Sequence, residues 1–245
     1  MIKKLIIVIL LAIFCFGFTI QDAHKAVIAR KNAAVADPCT TMGASGTYDH
    51  WWNGQYAADT DKACQASGVS TADGVATAGV IVDDGGGDYV ALLNADGEEV
   101  RWPANSTDVD AAGTVEISLT TPGSFSHDQT LFEIYTTTGN YYFRGYYSVG
   151  GDTIILYING VDAGSHTIAA PAESTTVTLQ FSWDDASNAL AIKNGAGAWD
   201  IDSEEWATTN NPNYYSLGED NVAYVGGTDG WKIRTFKVRD GYEAS

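Results

Sequence analysis

The strongest constraint on this chain is a long series of short apolar segments that alternate with polar residues and end in turn residues. In residues 114–119, for example, Val115, Ile117 and Leu119 are separated by polar side chains. Residues two apart on a strand lie on the same face, so this period predicts strands with one buried face. The strands predicted in this way are Val80–Val82, Tyr89–Leu93, Glu99–Trp102, Thr114–Leu119, Leu131–Tyr135, Tyr141–Tyr147, Ile154–Ile158, Val177–Trp183, Leu190–Ile192, Val222–Val225 and Trp231–Val238. Many short strands joined by hairpins predict an all-β fold, an antiparallel sandwich of two sheets.

The N-terminal segment has the organisation of an export signal. Lys3 and Lys4 precede an apolar run from Leu5 to Ile20, which is short for a membrane span of roughly 20 apolar residues. Ala34-Val35-Ala36 fits the small residues of a cleavage site, and an uncleaved anchor is the alternative. We therefore expect a leader at residues 1–36, a loop-rich lead-in at 37–78 and a sandwich at 79–245. The mature protein would have no membrane span and would be secreted, extracellular or held at the cell surface.

The chain is acidic, with a formal net charge of −18 at pH 7. Such a surface repels phosphate backbones, so nucleic acid is not an expected partner. Beyond the leader the chain has two cysteines, Cys39 and Cys64. An isolated pair in an oxidising compartment is predicted to form one disulfide, which would hold the lead-in together.

Four stretches, taken in order, resemble the concanavalin A-like lectin/glucanase superfamily, in particular its laminin G-like branch. They are the Asp-Gly turn before Asp-Tyr-Val at 83–90, the strand at 113–119, the hairpins between 130 and 160, and the closing strands between 225 and 238. The resemblance implies a jelly-roll of two antiparallel sheets.

The resemblance also implies a structural calcium between the first and last strands, with an acidic residue on the last one. Here Arg234 occupies the matching position, and a cation does not bind beside a guanidinium. We expect Arg234 to pair with Asp83 or Asp84. Calcium held by Asp83, Asp84 and Asp88 is the alternative to a glycine-rich turn with solvated acids. We predict neither a metal nor a cofactor.

One acidic segment resembles a catalytic motif of the laminarinase-like members, which reads Glu-x-Asp-x-x-Glu. The nearest match contains Asp200, Asp202 and Glu205, flanked by Trp199 and Trp206. Its first acid is the shorter aspartate, and the segment follows the central hairpins in what looks like a loop. A retaining glycosidase needs two carboxylates about 5 Å apart. We therefore predict an acidic surface loop and no enzyme.

The central hairpin offers a better site. Either a two-residue or a four-residue loop gives one register, pairing Glu133 with Arg144, Ile134 with Phe143, and Tyr135 with Tyr142. Phe132, Ile134 and Phe143 then face the core. The opposite face is predicted to carry the ligand-binding residues Glu133, Tyr135, Tyr142, Arg144 and Tyr146, joined by Tyr157 from the next strand and Gln180 from strand 176–182.

Aromatic rings beside charged and amide groups are typical of sugar-binding faces, because rings stack on sugar C–H groups and polar side chains bind hydroxyls. The alternative is an ordinary exposed sheet face. The leading hypothesis is a secreted, non-catalytic module that binds an extracellular glycan or another surface polymer. A self-associating structural or adhesive subunit and a diverged glycan hydrolase remain as alternatives.

Overall fold

The computed structural model describes residues 48–54, 63–65, 70–72, 74–76, 80–95, 97–104, 111–135, 141–158, 164–203, 213–218 and 230–244. The chain divides into two units at residues 42 and 43, and every described residue belongs to the second unit. Within those ranges no helix is long and apolar enough to cross a membrane. The predicted leader lies outside the described residues.

The described part of the chain is built from β-strands. In chain order these are β1 (His50–Trp52), β2 (Ala63–Gln65), β3 (Ser70–Ala72), β4 (Val75–Ala76), β5 (Ile81–Asp83), β6 (Tyr89–Leu93), β7 (Glu99–Pro103), β8 (Ala112–Thr120), β9 (Gln129–Tyr135), β10 (Tyr141–Ser148), β11 (Thr153–Ile158), β12 (Gly164–Ala169), β13 (Thr176–Asp184), β14 (Ala189–Asn194), β15 (Asp200–Ser203), β16 (Tyr214–Gly218) and β17 (Trp231–Asp240).

These strands form two antiparallel sheets. The ten-stranded sheet has the order β15-β14-β13-β8-β17-β1-β2-β3, with β6 also paired to β17 and β5 paired to β6. The seven-stranded sheet has the order β12-β11-β10-β9-β16-β7-β4. The predicted all-β sandwich of two antiparallel sheets is confirmed.

Aromatic side chains join the two sheets across the core. Phe143 on β10 stacks on Trp183 of β13 with ring centroids 4.1 Å apart, and Phe132 on β9 meets Phe181 of β13 edge to face at 5.0 Å. All four side chains are buried in one continuous apolar cluster. Every second residue of a strand thus points between the sheets, and the removal of these apolar side chains from water stabilises the sandwich.

In each sheet, one glycine makes room for a large ring on the neighbouring strand. A Cβ added at Gly145 would lie 2.1 Å from the Phe132 ring, and one added at Gly113 would lie 2.5 Å from the Trp183 ring. Gly145 is paired with Phe132, and Gly113 with Trp183. The ring fills the space above the glycine, so any larger residue there would overpack the core.

Most of the predicted strands match observed ones, and the differences have physical reasons. The lead-in was expected to be loop-rich, but β1 joins the ten-stranded sheet and buries Trp52 completely. The segment at Asp200 was expected to be a loop, and this was wrong, because it forms edge strand β15. All four residues of β15 are exposed, so it carries no apolar alternation. Residues 222–225 lie outside the described residues, and the predicted boundary at 78 stays a prediction.

Candidate functional site

The predicted hairpin register is correct at its centre. Glu133 pairs with Arg144 and Ile134 with Phe143, as the alternation indicated. The predicted pair of Tyr135 with Tyr142 was wrong, because a bulge at Tyr142 shifts the register and Tyr135 pairs with Tyr141 instead. Tyr142 lies within β10, but its side chain is outside the described part of the structure.

A second irregularity lies four residues from the first along the hairpin. Gly145 pairs with Phe132, whereas Tyr146 pairs with Thr130, so Leu131 is the extra residue on β9. Leu131 and Phe132 are both fully buried in the core. Phe132, Ile134 and Phe143 all belong to the core, which confirms the predicted inward face.

The outward face of the seven-stranded sheet carries a row of polar and aromatic residues that runs across six strands. Successive cross-strand pairs define it, since each residue lies opposite the next. From β7 to β12 the row is Arg101, Ser216, Glu133, Arg144, Tyr157 and Ser165. The predicted position of Tyr157 opposite Arg144 is confirmed. We call this set the polar row.

Arg144 is the centre of one half of the polar row. Its Nε donates to Thr130 Oγ1 at 3.0 Å and lies 3.6 Å from Glu133 Oε1, and Nη2 also donates to Thr130. The guanidinium carbon lies 5.0 Å from the centre of the Tyr146 ring. Glu133 is only 6% exposed, because it lies on the central strand beneath this arginine. The predicted residues Glu133, Arg144, Tyr146 and Tyr157 thus share one face.

Arg101 is the centre of the other half, and the sequence analysis missed it. Its Nη1 donates to the Tyr135 hydroxyl at 3.0 Å, and that hydroxyl donates to Glu99 Oε1 at 2.8 Å. The Arg101 guanidinium lies over the Tyr214 ring at 5.1 Å, and Tyr214 lies 5.4 Å from Tyr135 between ring centroids. The inward positions Val100 and Trp102 were the available signal that Arg101 points outward. The sequence carries no comparable signal for Tyr214, because the adjacent aromatic residue Tyr215 hides the alternation.

Burial and hydrogen bonding keep these groups in fixed protonation states. Burial, together with the hydrogen bond to Glu99, raises the pKa of Tyr135 well above its usual value. The hydrogen bond to Tyr135 raises the pKa of Arg101 further. Tyr135 therefore stays a neutral phenol whose one donor is used by Glu99, and Arg101 stays a cation at physiological pH, so the donors of this pair come from Arg101 and neither residue is a general base.

Gln180 does not belong to this face. It lies on β13 of the ten-stranded sheet, where its amide donates to Glu116 Oε2 at 2.8 Å. The prediction that it joins the tyrosines was wrong, because alternation assigns a face within a strand but does not say which sheet receives the strand. The other candidate residues on β9, β10 and β11 do share one sheet.

The acidic turn between β5 and β6 is held by protein groups. Asp84 accepts from Lys232 Nζ at 2.8 Å and from Arg234 Nη2 at 2.5 Å, which confirms the predicted pairing of Arg234. The hydrogen bond from Lys232, followed by that from Arg234, lowers the pKa of Asp84. Asp83 Oδ1 accepts the Gly85 amide at 2.8 Å. Nowhere in the described ranges do three or more His, Cys, Asp or Glu side chains form a group that could hold a metal.

The laminarinase-like motif lies at the rim of the sandwich. Asp200 and Asp202 are 64% and 57% exposed on edge strand β15. His166 of β12 lies between them, with Nε2 3.4 Å from Asp200 and Nδ1 3.7 Å from Asp202. Glu205 and Trp206 lie outside the described residues. The two described aspartates are thus exposed on either side of the buried His166 and do not form the enclosed carboxylate pair that glycoside hydrolysis uses.

The predicted disulfide concerns Cys39 and Cys64. Cys64 is half-buried on β2, opposite Trp51 of β1. Cys39 lies outside the described residues, so the pairing of these two cysteines stays a prediction.

Comparison with known proteins places the fold. No protein family and no curated protein matches the chain. Solved structures do match. A botulinum neurotoxin type C structure superposes with a TM-score of 0.63 at 9% identity, over 83% of this chain and 50% of the toxin chain. The serotype D binding domain gives 0.61 at 10% identity, over 81% and 49% of the two chains.

A third similar structure is the Trypanosoma rangeli sialidase in complex with sialic acid, with a TM-score of 0.53 at 9% identity. It is matched over 79% of this chain and 31% of the sialidase. The chain thus spans about half the length of the toxin chains and under a third of the sialidase. At such low identity these likenesses establish a shared β-sandwich fold.

Proposed function

We propose that the protein is a secreted or cell-surface, non-catalytic module of the concanavalin A-like, laminin G-like type, which binds an extracellular glycan across the outward face of its seven-stranded sheet. The observation that carries the proposal is the polar row. It aligns guanidinium, carboxylate, hydroxyl and aromatic groups across six neighbouring strands. Export and the disulfide between Cys39 and Cys64 are parts of the same proposal.

The chemistry of the row suits a sugar chain. Neighbouring strands lie about 4.8 Å apart, so the six strands span about 24 Å. Within that span Ser216 is fully buried and Glu133 is 6% exposed, so the groups that a sugar can reach lie at the Arg101 end and at the end formed by Arg144 and Tyr157. Tyr157 and Tyr146 are half-buried, so part of each side chain is accessible to a ligand. Rings of this kind stack on sugar C–H faces, while guanidinium and hydroxyl groups bind the sugar hydroxyls.

The structural neighbours support a glycan as the first ligand class to test. Cell entry of botulinum neurotoxin type C depends on interaction with two ganglioside molecules. The sialidase structure holds sialic acid. Both proteins share a fold with this chain, and because a fold alone does not carry a function, the likeness selects a ligand class to test and leaves the site to the residues of this chain.

The experiment is a glycan-array screen of the secreted protein, followed by calorimetry with the best ligand and a matched pair of tyrosine variants. Tyr157→Ala should weaken binding about tenfold, the value of one lost aromatic stacking contact. Tyr89→Ala is the control, because Tyr89 is a half-buried tyrosine on β6 of the other sheet. The control should bind as the unchanged protein does.

Four results would count against the proposal. The unchanged protein could bind no glycan on the array, or Tyr157→Ala and Tyr89→Ala could weaken binding equally. Concentration-dependent assembly without glycan would favour the adhesive subunit instead. Release of reducing sugar from β-glucans, lost in Asp202→Asn, would favour a hydrolase.

A further inference from the structure

The basic side chains of this acidic protein are mostly neutralised by nearby carboxylates. The described ranges contain seven Lys and Arg residues, and five of them lie within 4.0 Å of a carboxylate. Those five are Arg144, Lys232, Arg234, Lys237 and Arg239. The other two are Arg101 on the seven-stranded sheet and Lys193 on the ten-stranded sheet.

Arg101 is nevertheless held in one orientation. Its Nη1 is fixed by the Tyr135 hydroxyl at 3.0 Å, which is itself fixed by Glu99 at 2.8 Å. The plane of the guanidinium is supported by the Tyr214 ring at 5.1 Å. Glu99 and Tyr135 are 7% and 9% exposed, so the support is buried and well ordered by its packing.

This arrangement leaves part of the guanidinium uncommitted. One of its five N–H donors goes to Tyr135, and no described carboxylate takes any of the others. A planar guanidinium with a free edge matches a carboxylate through two parallel hydrogen bonds. Lys193, by contrast, lies 5.6 Å above the Trp199 ring, is a point charge and has no such geometry.

We propose that Arg101 is the specificity-determining residue of the polar row and binds the carboxylate of an acidic sugar unit, with Tyr214 supporting the guanidinium and Tyr135 and Glu99 positioning it. This inference rests on the proposed glycan binding and adds the substrate class. In a chain of net charge −18, a fixed cation that reaches its nearest described carboxylate, Glu99, only through the Tyr135 hydroxyl gives a negatively charged ligand a local point of attachment. The surrounding acids keep anions away from other surfaces.

The test compares acidic sugars with their uncharged esters. Calorimetry would use trimers of galacturonic, glucuronic and N-acetylneuraminic acid, each beside its methyl ester, which keeps the rings and removes the charge. At least one acid should bind about tenfold more tightly than its ester. Arg101→Gln should remove that preference, so that the acid and its ester bind equally. Tyr135→Phe should reduce the preference in part, since the charge stays but loses its support.

Lys193→Gln is the matched control, because among the described residues Lys193 is the other cation with no carboxylate within 4.0 Å, and its removal should not alter the preference. Thermal melting of each variant separates a folding defect from a binding defect. The inference is overturned if no acid is preferred, if Arg101→Gln keeps the preference, or if sulfated neutral trimers bind as tightly as the carboxylates. Ester binding that still depends on Tyr157 would then leave the proposed function standing. If Tyr157→Ala changes nothing for any sugar, the proposed function fails as well.

Discussion

The two sheets carry comparable rows of polar residues on their outward faces, but they use them differently. On the ten-stranded sheet, Glu116 accepts from Lys237 at 2.6 Å and from Gln180 at 2.8 Å. The Lys237 ammonium also lies 4.9 Å above the Tyr48 ring and 5.1 Å above the Trp51 ring. The Glu116 carboxylate, the Lys237 ammonium and the Gln180 amide are thus occupied by one another or by the two rings. The charged and amide groups of that cluster therefore offer little binding capacity to a ligand.

The seven-stranded sheet has one cluster whose polar groups bind each other, around Arg144, and one cluster with unused donors, around Arg101. Arg144 is occupied by Glu133, Thr130 and the Tyr146 ring. Arg101 is held at one nitrogen and on one face of its plane only. The comparison teaches that a row of charged and aromatic side chains is not itself a sign of binding. What separates the faces is donor capacity that is fixed in place but not used within the protein.

The largest expected effect is a loss of stability on replacing Gly145 or Gly113, the glycines that lie opposite a large buried ring in each sheet. Gly145→Ala should cost about 3 kcal/mol of unfolding free energy, because the new Cβ would lie 2.1 Å from the buried Phe132 ring. Gly113→Ala, at 2.5 Å from Trp183, should cost slightly less. Urea unfolding measures both. A cost below about 0.5 kcal/mol for Gly145→Ala would contradict the packing described for the seven-stranded sheet.

The next effect concerns His50, at the point where the two sheets meet. Its ring is fully buried between Trp102 and Tyr215 of one sheet and Phe236 of the other, at 5.0, 5.1 and 5.6 Å. Neither ring nitrogen has a hydrogen-bond partner. Burial lowers the pKa of His50 to about 3. The folded state therefore keeps the neutral ring, while the unfolded chain takes up a proton below about pH 6.5.

The sign of the pH dependence follows. As pH falls from about 6.5 towards 3, the unfolded state binds more protons and the folded protein loses stability, on the order of 3 kcal/mol by pH 4. His50→Leu should abolish this part of the acid destabilisation. Urea unfolding at pH 7 and pH 4 measures the difference, with the unchanged protein as reference. An identical loss in the variant would mean that other groups cause it.

A smaller effect should distinguish the two salt bridges. In the pair of Arg144 with Glu133, the side chains are 16% and 8% exposed, against 17% and 18% for Lys237 with Glu116. Arg144→Met leaves the more deeply buried carboxylate and should cost about 2 to 3 kcal/mol, whereas Lys237→Met should cost about 1 kcal/mol. Adding Glu133→Gln to Arg144→Met should recover part of the loss. Equal costs in urea unfolding would show that burial does not separate the two pairs.

The smallest effect expected is on glycan binding by Gln180→Ala. Because Gln180 lies on the ten-stranded sheet, this variant should bind glycan as the unchanged protein does. Calorimetry beside Tyr157→Ala gives the comparison. If Gln180→Ala lost as much glycan affinity as Tyr157→Ala, the binding site would have to include the ten-stranded sheet.

Much of the fold was predictable because alternation is a local signal. It gave the inward positions of Ile134 and Phe143 and the pairing of Glu133 with Arg144. It failed at Tyr142, because a bulge adds a residue without altering the chemical pattern around it. It placed Gln180 wrongly, because the order of strands depends on contacts between distant parts of the chain.

The candidate site was predictable only in part. Tyr157 and Arg144 come from one hairpin and its neighbour, so local register was enough to bring them together. Arg101 and Tyr214 come from β7 and β16, which are far apart in sequence and adjacent in the sheet. Their contact depends on the insertion of β16 between β7 and β9, and no local pattern contains that information.

The two bulges of the central hairpin shift the strand register by one residue each, in opposite directions. The extra residue Tyr142 on β10 shifts the pairing by one residue, and the extra residue Leu131 on β9 reverses that shift. The pairs on the two outer sides of the bulges, such as Tyr141 with Tyr135 and Tyr146 with Thr130, therefore share one register. Because each bulge absorbs its own extra residue, deleting Tyr142 or Leu131 alone would leave regular pairing in which the flanking residues keep their partners. Related sequences should therefore gain or lose these two positions independently of each other.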